Sequence, residues 1–157
     1  MMQDGFTFLE LIVVLGIIAL LALFALPQYD HFLKRHQAQS DIEQIVRMIT
    51  LARQQAILRN QTVTLYPNED WSQGLMILDE KKQMISSITF TNDANILLKT
   101  FPASAENQLQ FSATGLTKTQ NGSFYYCPDD MHLAKRIVFN QAGRVYVTAD
   151  EVESGCE

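Results

Sequence analysis

Gly5-Phe6-Thr7-Phe8-Leu9-Glu10 opens a stretch that runs on through Leu11 to Leu26, sixteen residues without a charge, and stops at Pro27. From Phe6 to Leu26 the apolar segment is 21 residues long, and a helix needs about 20 to cross a bilayer. A membrane-spanning helix over 6–27 is therefore expected. Glu10 is the one ionisable group inside it. A carboxylate at that depth costs roughly 2.5–3.5 kcal/mol and calls for a partner. No Lys or Arg lies between Met1 and Pro27, so the nearest cation the chain can offer is a new α-amine. A cut between Gly5 and Phe6 makes one. Phe6 and Glu10 are helical neighbours four residues apart, and the first turn favours an acid. The carboxylate is expected to meet that ammonium, on its own helix or on an identical one alongside. The bland alternative is a signal anchor carrying an incidental Glu. A cleaved secretory peptide is excluded: the flank is not basic, the run is long, and Ala22 and Ala25 have the wrong spacing for its cleavage site.

Past Pro27 there remain 130 of the 157 residues, enough for one small domain with a core of its own. The net charge of −5 argues against a general polyanion binder. Cys127 and Cys156 are the two cysteines. In a domain held outside the cytoplasm they are expected to form one disulfide. It closes a loop of about 30 residues, worth roughly 3 kcal/mol. Two Cys at that spacing with no matching His pair do not make a zinc site.

The helix is expected to continue over 28–60, since Tyr29 to Asn60 contains neither Gly nor Pro and is rich in helix formers. Ile42, Ile45, Ile49, Ala52 and Ala56 recur three and four apart, one apolar face. Asp41, Glu43, Arg47, Arg53 and Arg59 flank or oppose that stripe. This second half is amphipathic and is expected to pack on the rest of the chain. Pro27, which removes a backbone donor, supplies a bend. Gly16, Ala19, Ala22 and Ala25 form a small-residue series, read equally well as a close-packing seam or as ordinary membrane-helix composition.

From residue 61 the period changes to two. Thr62–Tyr66 is a strand that Pro67 ends, and Asn68-Glu69-Asp70 a turn. Gly74–Leu78, Met84–Phe90, Ile96–Phe101, Leu109–Ser112, Ser123–Cys127, Lys135–Asn140 and Arg144–Thr148 read as further short strands. Asn92–Asn95 is a turn, and Gln141-Ala142-Gly143 another that places Gly where positive φ is needed. Strands at this spacing predict an α+β protein, with a long N-terminal helix packed on an antiparallel, sandwich-like head over 61–157.

Gly5-Phe6-Thr7-Phe8-Leu9-Glu10 resembles the class III signal of type IV pilins and type II secretion pseudopilins. Leu51 to Leu65, Trp71 with Gly74-Leu75-Met76-Ile77, and the hairpin Ile137–Asn140 with Gly143–Val147 resemble, in that order, the GspH/FimT-type domain. The resemblance implies a pilin-like fold and a leader over 1–5, cut after Gly5 by a prepilin peptidase. It further implies N-methylation of Phe6, and Glu10 and Pro27 as the family's assembly glutamate and kinking proline. The implied protein is a non-enzymatic minor pilin or pseudopilin without cofactor. It sits as a single-pass inner-membrane protein with its head in the periplasm, then joins, and primes or caps, a pilus or pseudopilus. Its partners would be other pilins, the peptidase and the inner-membrane assembly platform.

The remaining constellations are thin. His31 and His36 are five apart, off one helical face, and no metal site is expected with them or with His132. Asp129-Asp130 reads as a solvated loop, too few oxygens for calcium. No serine sits in a nucleophile context and no phosphate-cradling Gly loop exists. Lys34-Arg35, just past the apolar run, reads as headgroup contact or as a pair for an acidic neighbour. DNA-binding relatives carry Gly-Arg-x-Arg in the terminal hairpin. Here it is Gly143-Arg144-Val145-Tyr146, with Lys135 and Arg136 expected across the turn as further cations and Tyr146 as a base-stacking ring. Four carboxylates, Asp150, Glu151, Glu153 and Glu157, follow. A DNA receptor for natural transformation is thus the alternative function, not the favoured one.

Overall fold

The computed structural model describes residues 8–91, 94–101, 107–118, 121–150 and 152–156, without the side chains of 22–29 and 101. Helix α1 spans Phe8–Arg59 and passes through Pro27. It ends where Asn60 turns to φ 50°. Asn60 N–H then donates to Ile57 O and Gln61 N–H to Ala56 O, the paired bonds by which a left-handed residue closes a helix. The chain divides into two compact units, Met1–His36 and Gln37–Glu157. The division falls at the point where the helix begins to bury side chains, at Ala38.

Among the described residues eight strands follow: β1 (Val63–Asn68), β2 (Asp70–Asp79), β3 (Met84–Thr89), β4 (Asn95–Phe101), β5 (Leu109–Phe111), β6 (Asn121–Cys127), β7 (Lys135–Asn140) and β8 (Val145–Thr148). They form two antiparallel four-stranded sheets, ordered β3-β2-β1-β5 and β4-β6-β7-β8. The sheets meet at β2 and β4, where Ile96 N–H donates to Ser72 Oγ at 2.9 Å. The predicted α+β architecture, a long helix and an antiparallel head, is the architecture observed.

The core joins the helix stripe to the inward faces of both sheets. Ile45, Ile49, Ala52 and Ala56 are fully buried with Val63, Leu65, Leu75 and Ile77 of one sheet and Phe124, Ile137 and Phe139 of the other. Trp71 meets Phe124 edge-on at 5.0 Å, and its indole N–H donates to Asn107 Oδ1. Gly122 stays inside β6 because a Cβ there would come within 2.3 Å of the Phe139 ring.

Beyond shifts of one or two residues at strand ends, such as Asn95 opening β4 and Asn121 opening β6, three details differ from the sequence reading. β1 does not end at Pro67 but carries it, in register with Leu75. β5 covers β1 only over Val63–Leu65, so among the described residues Pro67 lies where β1 pairs with β2 alone, a position at which a sheet tolerates proline. β2 begins at Asp70 rather than Gly74, because Trp71 is itself an inward-facing residue of the strand. Asp41 does not flank the stripe on the solvent side. It is buried and accepts a hydrogen bond from the Tyr126 hydroxyl at 3.2 Å.

Candidate functional site

The sequence singles out two regions, the start of α1 and the terminal hairpin. At the start of α1, Glu10 is an exposed acid in the first turn. Every large apolar side chain described around it faces outward, from Phe8, 78% exposed, to Leu21, 66% exposed. Apolar groups go all the way round the helix, the pattern of a segment meant for lipid or for other helices. A Cβ built on Gly16 meets nothing within 4 Å. Among the described residues no helix is long and apolar enough to cross a membrane; the predicted span 6–27 extends past the described side chains at both ends. The predicted cleavage and methylation residues Gly5 and Phe6 lie outside the described residues, as does the side chain of Pro27.

The next turns of α1 carry the residues set aside above. Lys34 and Arg35 are exposed, as are His31 and His36. His36 packs its ring against Phe32 at 4.2 Å. Among the described residues no group of His, Cys, Asp and Glu is placed to hold a metal ion. Asp130 of the predicted solvated loop caps a short 3-10 turn, Met131–Leu133, by accepting the His132 N–H.

In the hairpin, β7 and β8 pair from Phe139 opposite Val145 to Arg136 opposite Thr148. Gly143 takes φ 72° at the turn, as its position demanded. The four named residues do not form one patch. Arg144 is exposed beside the turn, its N–H donating to Asn140 Oδ1 at 2.9 Å. Lys135 begins β7 at the far end of that strand, in register with Tyr126 of β6, so it is not across the turn from Arg144. Six residues of strand separate them by roughly 17–20 Å. Arg136 is engaged: its Nε donates to Ser123 Oγ at 3.0 Å, and its guanidinium lies 5.6 Å from the Tyr125 ring centre. Tyr146 is 53% exposed, opposite Val138.

Cys127 and Cys156 form the expected disulfide, Cα–Cα 5.8 Å. It holds the C-terminal segment against the outer face of the second sheet. Gly155 lies so close to Tyr125 that a Cβ would come within 1.9 Å of the ring. Lys99 Nζ donates to the Ser154 carbonyl at 3.2 Å and stands 5.5 Å from the centre of the same ring. The acidic tail and the Lys135 end of the hairpin also share a cavity of about 450 Å³, with His132 and Glu153 on its walls.

One joint was missed by the sequence reading. Arg53 of α1 reaches between two loops: its Nε donates to Gly115 O at 3.0 Å, and Gly143 packs on its side chain. Thr117 N–H donates to Gln141 O at 3.0 Å, closing the same knot. The one available signal was a pair of turn glycines, Gly115 and Gly143, both at positive φ, and glycine also permits close approach.

Comparisons with known proteins agree with this geometry. Residues 41–143 match the family model of the type II transport protein GspH, and residues 1–26 that of the prokaryotic N-terminal methylation motif. The fold resembles the type IV minor pilin FimU of Pseudomonas aeruginosa, with TM-score 0.64 and 21% identity over 80% of this chain and 99% of that one. It also resembles the minor pseudopilin EpsH from the type 2 secretion system of Vibrio cholerae, with TM-score 0.56 and 13% identity over 73% and 98%. By sequence, the type IV major fimbrial protein FimA of Dichelobacter nodosus is 44% identical over 41 residues. That match spans about a quarter (26%) of the relative's length and of this chain.

Proposed function

The chain belongs to the GspH family, and from that premise we propose that it is a minor pilin or pseudopilin, a structural subunit without catalytic chemistry. The observation that carries the proposal is the half-covered helix. From Ala38 onward α1 buries a stripe in its own head, while the described residues 8–21 leave their large apolar side chains outside. A surface of that size and polarity is not kept in water. It is stored in the inner membrane with the head on the periplasmic side. On assembly it passes into contact with the corresponding helices of other subunits.

In this reading a prepilin peptidase cuts after Gly5 and the new Phe6 amine is methylated. Glu10 then guides docking by charge-assisted pairing with such an amine, a contact strengthened by the low dielectric around it. Pro27 lets the first part of the helix adjust to its neighbours. The head primes or caps the filament through other minor subunits, on an inner-membrane platform. Intact-mass and N-terminal sequencing of the chain from cells with and without prepilin peptidase test the processing step. The expected product starts at methylated Phe6 only when the peptidase is present; an unshortened, unmethylated chain in both overturns it.

The DNA-receptor alternative rests on the exposed pair Arg144 and Tyr146. Two such groups are few for phosphate binding, which depends on several cations acting together. A gel shift with the full chain against its Arg144→Ala form separates the readings. Salt-sensitive binding that is lost in the variant favours the receptor; no binding leaves the subunit role alone.

A further inference from the structure

The outer face of the first sheet carries a groove that the proposed role leaves unused. β1 alternates: Val63 and Leu65 point into the core, which turns Thr62, Thr64 and Tyr66 to the opposite face. Gln110 of β5 stands beside Thr64 in register. These four side chains and the neighbouring Lys118 line a cavity of about 230 Å³, walled on its other side by the β2–β3 turn.

Thr64 is the informative member. It is 7% exposed, and among the described residues its hydroxyl has no hydrogen-bond partner. A buried hydroxyl left unsatisfied is penalised and is rare in folded proteins. Its surroundings are chemically ready. The side chains of Thr62, Tyr66, Gln110 and Lys118 likewise make no hydrogen bond among the described residues. Asp79, by contrast, is spent: its Oδ1 accepts the Lys81 and Gln83 N–H groups at 2.9 and 2.8 Å.

The donor set selects the ligand. Hydroxyls and a carboxamide both donate and accept, which suits the adjacent hydroxyls of a sugar. Tyr66 offers a ring edge or face to its C–H groups. Lys118 and Lys82 supply two ammonium groups for one carboxylate. Glu80, on the same wall, accepts a hydrogen bond from a hydroxyl and disfavours a bare polyanion. The volume lies below the roughly 300–1,000 Å³ of drug-sized sites, so it admits one ring. We propose that this groove binds a pyranose ring carrying one carboxylate, a sugar acid, with the Thr64 hydroxyl as the buried contact. The site is independent of the filament role and survives if that role fails.

The test is saturation-transfer NMR on the full chain in detergent micelles, with D-glucuronate as probe. D-glucose and acetate report the ring and the charge alone, and a hyaluronan tetrasaccharide ending in glucuronate separates a polysaccharide end from a free sugar acid. Transfer to glucuronate exceeding that to glucose, with none to acetate, is expected. Lys118→Ala and Thr64→Val each weaken it about three- to tenfold, the worth of one hydrogen bond. Thr64→Val also raises the melting temperature of the ligand-free chain, since it removes an unsatisfied group and keeps the shape. That rise shows the variant folded. No transfer to glucuronate, equal transfer to acetate, or undiminished transfer in Thr64→Val overturns the proposal.

Discussion

Ile17 and Ile49 carry the same side chain on the same helix, yet one keeps 53% of its surface and the other none. The difference is set by what the rest of the chain can reach. Around Ile49 the helix has a polar side and an apolar side, and the apolar side shares one buried cluster with the two sheets: Ile45, Ala52 and Ala56 with Leu65, Ile77 and Phe139. Around Ile17 there is no polar side to leave outside, and the described side chains of 8–21 are all exposed. The second half of α1 belongs to the core of the head, and in the proposed role the first half belongs to an assembly or a membrane.

Introducing a charge at both places is the strongest way to break that comparison. Ile49→Asp buries an uncompensated carboxylate and is expected to cost more than about 4 kcal/mol, enough to unfold the head. Ile17→Asp is expected to leave the head unchanged and, in the proposed role, to lower membrane retention and incorporation, read by membrane fractionation. Urea unfolding followed by fluorescence reads both, since Trp71 is the sole tryptophan and is buried. Equal urea midpoints for Ile49→Asp and the parent would break the assignment of that half to the core. Next in size is the disulfide. Cys156→Ser is expected to cost about 3 kcal/mol by releasing the loop-closure constraint, again in the head alone. An unchanged urea midpoint would mean that the contacts of Gly155 and Lys99 hold the tail without it.

How much of this was legible follows from whether the determining contact is local. The helix stripe and its period lie within one segment, so Ile42, Ile45, Ile49, Ala52 and Ala56 were readable, and so was the β7–β8 turn with its positive-φ glycine. The strand through Pro67 was not, because the fact that rescues it, the short reach of β5, is a tertiary one. Asp41 was misread for the same reason: its partner Tyr126 is 85 residues away. In the hairpin the residue types were visible but their grouping was not. Strand register separates Lys135 from Arg144 and spends Arg136 on Ser123 and Tyr125.

A finer probe sits at the end of the buried half. Gly143→Ala puts a Cβ at φ 72° and within 2.5 Å of Arg53 Nε, and is expected to cost about 1–3 kcal/mol. Arg53→Ala removes the obstacle together with the bond to Gly115. The double variant should then be less destabilised than the sum of the singles, because one contact is counted in both. Strict additivity in urea unfolding would show that the joint is not a unit.

The smallest effect on the head is expected from Glu10→Gln, and this is what makes it the sharpest probe of the comparison. Gln keeps the shape of Glu and removes its charge. Glu10 lies in the unit Met1–His36, apart from the buried stripe, so the urea midpoint of the head should not move. Neutralising a carboxylate inside an apolar segment also makes membrane residence easier, so retention should be at least as good. In the proposed role the negative charge serves docking through a charge-assisted pair with an α-amine of another subunit. Incorporation into sheared filaments, measured against the membrane-held pool, is therefore expected to fall while the head stays folded and the membrane pool persists. If incorporation holds at the parent level, the exposed half of α1 assembles by apolar packing alone, and Glu10 has no part in docking.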